Sequence, residues 1–147
     1  MGCNSSKSKK LSTVVPQKSG YVLRIAGYTN YEGKSASAAI LYYEYNPISY
    51  DSIRHDIPNY AGIFAYMIGL ELACETTAVD LRVQTHNLEI LDLPDDKPEE
   101  YHEQLRDLES KFQHIRREFL FSNHNQEAIE LCKDAISNRQ SRKNTAT

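Results

Sequence analysis

The chain has 147 residues, of which 40% are hydrophobic and 10% aromatic, values typical of one domain with a buried core. They exclude a fully disordered, collagen-like or coiled-coil protein, and no apolar run reaches the roughly 18–20 residues that a membrane-spanning helix needs. Three widely spaced cysteines, Cys3, Cys74 and Cys132, predict neither a disulfide framework nor a zinc site, so we expect a reducing compartment.

Charge is unevenly distributed along the sequence. Residues 1–18 carry four lysines and no acid, and three basic residues after position 138 form a second basic tail. The body between them holds twenty acidic and ten basic residues, a net charge of −10. Proteins that bind a phosphate backbone usually present a basic patch on the folded surface. This distribution therefore disfavours nucleic acid as a partner of the folded body, although it leaves that partner open.

The amino terminus has the pattern of a lipid anchor. The opening sequence MGCNSS matches the motif for myristoylation of Gly2, and Cys3 is placed for palmitoylation. One myristoyl chain binds a membrane only marginally, and a second chain or a basic segment makes the attachment stable. Cys3 would carry the second acyl chain, and Lys7, Lys9 and Lys10 form the basic segment. We predict a flexible, basic lipid-anchor segment over residues 1–19 that holds the protein on the cytoplasmic face of a membrane, with the plasma membrane favoured. The alternative is a Ser- and Lys-rich leader with a chance glycine at position 2.

Hydrophobic patterning in the body predicts strands first and then helices alternating with strands. Three strands are expected at Tyr21–Thr29, Ser37–Tyr45 and Tyr50–Ile57, because aromatic and β-branched residues there are bounded by turn residues. The predicted elements that follow are a helix from Asn59 to Cys74 that is apolar on all sides, a strand Val79–Thr85, a short helix Asn87–Leu91, a loop Pro94–Pro98, a helix Glu99–Phe112, a strand Ile115–Phe121 and a helix Asn125–Ser137. Residues 138–147 are expected to form a disordered basic tail. The fold class is therefore α/β, with a five-stranded mixed sheet that has helices on both faces.

This order of elements resembles ribonuclease H type 1, and so do several short segments. The matching segments are Ile25-Ala26-Gly27 with Gly33 and Ser37-Ala38-Ala39-Ile40-Leu41, the helix from Tyr60 to Leu70, the strand end Leu81–Asn87, and the closing helix start Asn125–Leu131. The similarity spans about residues 20–137. It implies an RNase H-like domain, in a family that cleaves the RNA strand of RNA–DNA hybrids with two divalent metals held by carboxylates.

At the positions that hold the metal ligands in that family, this sequence has no carboxylate. The resemblance places Ala26, Gly62, His86 and Ile129 at the four acidic positions. We therefore interpret them as a degenerate former metal site and expect neither a metal nor another cofactor. The other candidates have ordinary structural explanations: the five histidines lack zinc-ligand spacing, Cys74 and Cys132 fall on core-facing helix positions, and the tyrosines are typical of strand packing.

Two functions remain open. The first is a non-catalytic, membrane-tethered RNase H-like adaptor that binds an unidentified protein partner, and the absent acids and acidic body favour it. The alternative is a nucleic-acid-binding domain or an RNA–DNA hybrid ribonuclease of the RNase H type, which would show salt-sensitive binding by the folded body.

Overall fold

A computed structural model describes residues 20–93, 99–138 and 142–145 of the chain. Its strands are β1 (Tyr21–Thr29), β2 (Ser35–Tyr43), β3 (Asn46–Arg54), β4 (Asp80–Thr85), β5 (His114–Phe119) and β6 (Arg142–Thr145). Its helices are α1 (Ala61–Cys74), α2 (Leu88–Leu91), α3 (His102–Glu109) and α4 (Gln126–Asn138). The predicted lipid-anchor segment, residues 1–19, and the loop Pro94–Pro98 lie outside the described residues.

The strands form one mixed sheet in the order β5-β4-β1-β2-β3-β6. Strands β1, β2 and β3 pair antiparallel, whereas β4 runs parallel to β1 and β5 runs parallel to β4. This arrangement confirms the predicted mixed sheet, in which three antiparallel strands are followed by parallel ones. Because β1, β4 and β5 run in the same direction, their carboxyl ends lie at one common edge of the domain.

Helices cover both faces of the sheet and form two apolar cores. On one face, α1 packs with Leu105 of α3 and Ile90 of α2 against Leu23 and Ile25 of β1. Helix α1 is buried on most of its surface, as its apolar sequence predicted. On the other face, α4 contacts β1, β2 and β3. Among the described residues, no helix is both long and apolar enough to cross a bilayer.

The hairpin between β2 and β3 differs from the prediction because its turn comes earlier. The sequence predicted a second strand reaching Tyr45 and a third beginning at Tyr50, whereas Glu44 and Tyr45 form the turn, both with positive φ (47° and 73°). Two consecutive residues with positive φ suit a tight hairpin but normally involve Asn or Gly. Glu and Tyr therefore gave no turn signal, and Tyr45 is 98% exposed at the tip.

The carboxyl-terminal residues depart from the predicted disordered tail. Residues Arg142–Thr145 form β6, which pairs antiparallel with β3 at Ser49–Ser52. The tail sequence is polar and has no apolar alternation, so periodicity could not identify this strand. The structure therefore adds a sixth strand, next to β3, to the five that were predicted.

Candidate functional site

The structure brings the four positions that the resemblance singled out together at the carboxyl ends of β1 and β4. Ile25 pairs with Thr85 across these strands, so the next residues, Ala26 and His86, follow side by side. Helix α1 begins directly over this end of the sheet. A Cβ atom added to Gly27 would lie 2.5 Å from the backbone nitrogen of Gly62. From the opposite face, Ile129 of α4 packs in the same apolar cluster as Ala26.

Asn87 ties the ends of β1 and β4 together. Its Oδ1 accepts the Gly27 backbone N–H at 2.8 Å, and its Nδ2 donates to the Gly27 carbonyl at 3.2 Å. The Thr85 hydroxyl donates to the same Oδ1 at 3.2 Å and accepts the Asn87 backbone N–H at 3.0 Å. The amide of Asn87 is thus engaged in holding the backbone. Sequence reasoning did not identify this residue, because a lone asparagine after a strand carries no motif.

Asn125, which directly precedes α4, contacts His86 from the other side. It is 2% exposed, and its Nδ2 donates to the Ile25 carbonyl at 2.8 Å and lies 3.2 Å from Nδ1 of His86. Nδ1 therefore accepts a hydrogen bond, which places the proton of the neutral imidazole on Nε2. Burial lowers the pKa of His86, and the carboxylate of Glu89 opposes that effect. The Asn125 Oδ1 is buried with no hydrogen-bond partner among the described residues, which costs folding free energy.

The α4 side of the site is closed by packing. Cys132 donates its thiol to the Ala26 carbonyl at 3.3 Å, and burial raises the pKa of that thiol to about 12. A thiol with this pKa is not a nucleophile at neutral pH. Cys74 is also buried, so the prediction that both cysteines belong to the core is confirmed.

Glu89 of α2 brings a carboxylate to the site that the sequence analysis missed. A Cβ atom added to Gly62 would lie 2.8 Å from the carboxyl carbon of Glu89, so this side chain occupies the space beside position 62. Glu89 is exposed and belongs to a four-residue helix. Nothing in the neighbouring sequence indicates that the Glu89 side chain lies beside the start of α1.

The site therefore combines one carboxylate, one neutral imidazole and two amides that bind backbone groups. Divalent magnesium is usually held by several oxygen ligands at once. In the part of the chain that the structure describes, no group of three or more His, Cys, Asp or Glu side chains is placed to hold a metal ion. At this site, the Nε2–H of His86 can donate a hydrogen bond to a ligand, and the carboxylate of Glu89 can accept one.

Comparison with known proteins identifies the fold. No protein-family model matches the chain, and no curated protein matches it. Among solved structures, it is similar to the N-terminal RNase H domain of Rv2228c from Mycobacterium tuberculosis, in a fusion protein with maltose-binding protein. The TM-score is 0.70, with 17% identity over 80% of this chain and 94% of that one. It is also similar to RNase H1 of the halophilic archaeon Halobacterium salinarum, with a TM-score of 0.66 and 15% identity over 80% and 98% of the two chains.

A third similar structure is LC11-RNase H1 in complex with an RNA/DNA hybrid, with a TM-score of 0.68 and 16% identity over 81% of this chain and 98% of that one. The chain therefore has the RNase H-like fold that the order of its predicted elements suggested. At these levels of identity, the likeness extends to the fold and not to the activity.

Proposed function

We propose that this protein is a non-catalytic, membrane-tethered adaptor built on an RNase H-like domain. The observation that supports this most strongly is the meeting of Ala26, Gly62, His86 and Ile129 at one end of the sheet. None of these side chains offers a carboxylate, and two-metal cleavage of a phosphodiester needs carboxylates that clamp both ions. On this proposal, the protein acts by binding a protein partner rather than by catalysis.

The packing around these positions supports the same proposal. The backbone of β1 at Gly27 lies against the start of α1. Asn87 and Asn125 both use their amides on β1 carbonyls. These two amides stabilise the contact between β1, β4 and α4. Because they bind backbone carbonyls, they are not free to bind a ligand. Glu89 supplies a carboxylate beside position 62, which by itself cannot position two metal ions.

The membrane tether is the second part of the proposal and rests on residues 1–19. Gly2 and Cys3 would carry the acyl chains, and Lys7, Lys9 and Lys10 would add attraction to an anionic leaflet of about 1 kcal/mol each. Gly20, where the described structure begins, precedes β1 and accepts the Glu44 N–H at 3.3 Å. The tether would therefore enter at the amino-terminal end of β1, and the site with His86 and Glu89 lies at its carboxyl-terminal end, directed away from the point of attachment.

The alternative is an RNA–DNA hybrid ribonuclease or nucleic-acid-binding domain. It is favoured by the three similar structures, which are RNase H proteins, one of them in complex with an RNA/DNA hybrid, and by the carboxylate of Glu89. It is disfavoured by the net charge of −10 on the body.

The catalytic part of the proposal is tested with the purified full chain and a labelled RNA–DNA hybrid in the presence of Mg²⁺ or Mn²⁺. We expect no cleavage above the level seen with EDTA. Cleavage that EDTA abolishes and that Glu89→Gln removes would support the ribonuclease instead. Glu103→Gln, an exposed carboxylate on α3, is the matched control for the loss of one charge.

The tether is tested separately by labelling cells with an alkyne analogue of myristate. We expect label on the wild-type chain and none on Gly2→Ala, with the Gly2→Ala chain released from the membrane fraction. Cys3→Ser should keep the label but release part of the protein, because one acyl chain holds a protein only marginally. Equal labelling of wild type and Gly2→Ala would refute the tether without bearing on catalysis.

A further inference from the structure

The outer edge of β5 is open to pairing. Strand β5 is the terminal strand of the sheet, and among residues 20–93, 99–138 and 142–145 no strand pairs with its outer side. The N–H groups of His114 and Leu120 donate inward, to the carbonyls of Val79 and Thr85. Since strand groups alternate in direction, the N–H and C=O groups of Ile115, Arg117 and Phe119 point outward. This outward row is what a further strand would bind.

Exposed aromatic residues accompany this open edge. Phe119 is 49% exposed and Phe121 is 64% exposed, and their rings meet edge to face with centroids 4.8 Å apart. Strand β5 contains no proline, and no bulge interrupts its pairing with β4. Proteins usually blunt an exposed edge strand, because it can otherwise pair with another chain. This edge carries charged side chains but has neither a proline nor a bulge, and it lies beside exposed phenylalanines. We therefore expect a partner to cover it.

We propose that the partner is a second copy of this chain, whose β5 pairs antiparallel with this one about a twofold axis at Arg117. In this register Arg117 lies opposite the partner's Arg117, and the backbone N–H and C=O groups of these two residues bond to each other. Ile115 lies opposite the partner's Phe119 on one face of the sheet. On the other face, Arg116 lies opposite the partner's Glu118. The two sheets then become one continuous sheet, and each twofold-related contact occurs twice.

The charges of the strand select this register over its neighbours. The side chains of residues opposite each other in an antiparallel pair point to the same face of the sheet. The twofold axis must therefore pass through a residue, and the neighbouring registers have the axis at residue 116 or at residue 118. Moving the axis to residue 116 places Arg116 opposite the partner's Arg116. Moving it to residue 118 places Glu118 opposite the partner's Glu118. Like charges directly opposite destabilise a pair, whereas the axis at Arg117 gives two Arg–Glu pairs.

The one like-charge contact in the proposed register is already compensated within each protomer. Arg117 lies 3.4 Å from the carboxylate of Glu109 and 3.5 Å from the hydroxyl of Tyr66, so its charge is drawn toward α3 and away from the edge. Arg116, in contrast, is 76% exposed and lies 3.8 Å from Glu118 of its own strand. Its guanidinium is therefore available to a partner. This pairing depends neither on the proposed lipid anchor nor on the proposed lack of catalysis.

The test is sedimentation equilibrium of the full, unacylated chain and of two charge reversals, Arg116→Glu and Glu118→Arg. We expect the wild type to dimerise and each single variant to dimerise at least about tenfold more weakly, because its cross-strand pairs become like-charged. An equimolar mixture of the two variants should dimerise again, since each reversed residue then faces an opposite charge. Arg106→Glu, an exposed reversal on α3, is the control and should leave the dimer unchanged.

Hydrogen exchange provides a second readout that does not depend on the variants. The outward amides of Ile115, Arg117 and Phe119 should exchange more slowly as protein concentration rises, and the inward amides should not change in the same way. Circular dichroism of each variant confirms that it folds, which matters for Glu118→Arg because Arg82 and Gln84 bind Glu118. A chain that is monomeric at every concentration, a dimer that both reversals leave intact, or a mixture that fails to associate would each overturn the proposal.

Discussion

Replacing Gly27 with alanine tests the close contact between β1 and α1. A Cβ atom at this position would lie 2.5 Å from the backbone nitrogen of Gly62 and 2.7 Å from the backbone carbonyl oxygen of Ala61. Cβ atoms in proteins essentially never lie this close to another heavy atom. The atoms in the way belong to the backbone at the start of a buried helix, so they cannot move by a change of rotamer as a side chain can. Inserting a methyl group into a packed interior costs about 1–3 kcal/mol, and we expect the upper end of that range, about 3 kcal/mol, because α1 must move away from the sheet.

Gly62→Ala is the matched control, measured in the same urea denaturation experiment. Its added Cβ would meet the side chain of Glu89, which is exposed and free to move. Alanine also favours a helix over glycine by about 1 kcal/mol, so the free energy of unfolding should change by less than about 1 kcal/mol. With m-values of about 1–3 kcal/mol/M, the two variants should differ clearly in urea midpoint. Equal midpoints would show that β1 and α1 are not in the close contact described.

Three further changes follow from other contacts. Asn87→Ala should lower the free energy of unfolding by about 2–4 kcal/mol in urea, because it leaves the buried N–H and C=O of Gly27 without their partner; Asn87→Asp, which keeps the acceptor, should cost less, and a neutral Asn87→Ala would contradict this role. Replacing Glu44-Tyr45 by Asn-Gly should raise the thermal midpoint, since it relieves two positive φ angles, each costing about 1 kcal/mol or more; a lower midpoint would mean that Tyr45 makes stabilising contacts. Burial lowers the pKa of His55 below its usual 6.5, so the unfolded chain binds more protons and stability should fall as pH drops through about 6.5; an NMR titration that gives His55 a pKa above 6.5 would refute this.

The core of the fold could be predicted from sequence because its signals are local. Hydrophobic residues mark the strands around Leu23 and Leu41 and the all-apolar helix around Leu70 in the sequence itself. The order of these elements then limits the topology to a few choices. Residues 142–145 become a strand through pairing with β3. Their own side chains carry no such pattern, so only the tertiary structure reveals them.

The resemblance named the positions of the candidate site but not the contacts around them. The resemblance to ribonuclease H selected Ala26 and His86, and the parallel pairing of β1 and β4 brings them together. The roles of Asn87 and Asn125 depend on which backbone groups the fold places within hydrogen-bond reach, and that of Glu89 depends on its position beside Gly62. The backbone contacts of Asn87 with Gly27 and of Asn125 with Ile25 join residues 60 and 100 positions apart, and no local pattern encodes them.

Binding of Mn²⁺ to the purified full chain is the measurement that decides whether this end of the sheet holds a divalent metal ion. Electron paramagnetic resonance measures the free Mn²⁺ that remains as protein is added. We predict that the signal of free Mn²⁺ stays unchanged up to millimolar protein, for the wild type and for Glu89→Gln alike. Loss of one or two equivalents of the signal, reversed by Mg²⁺ and absent in Glu89→Gln, would contradict it.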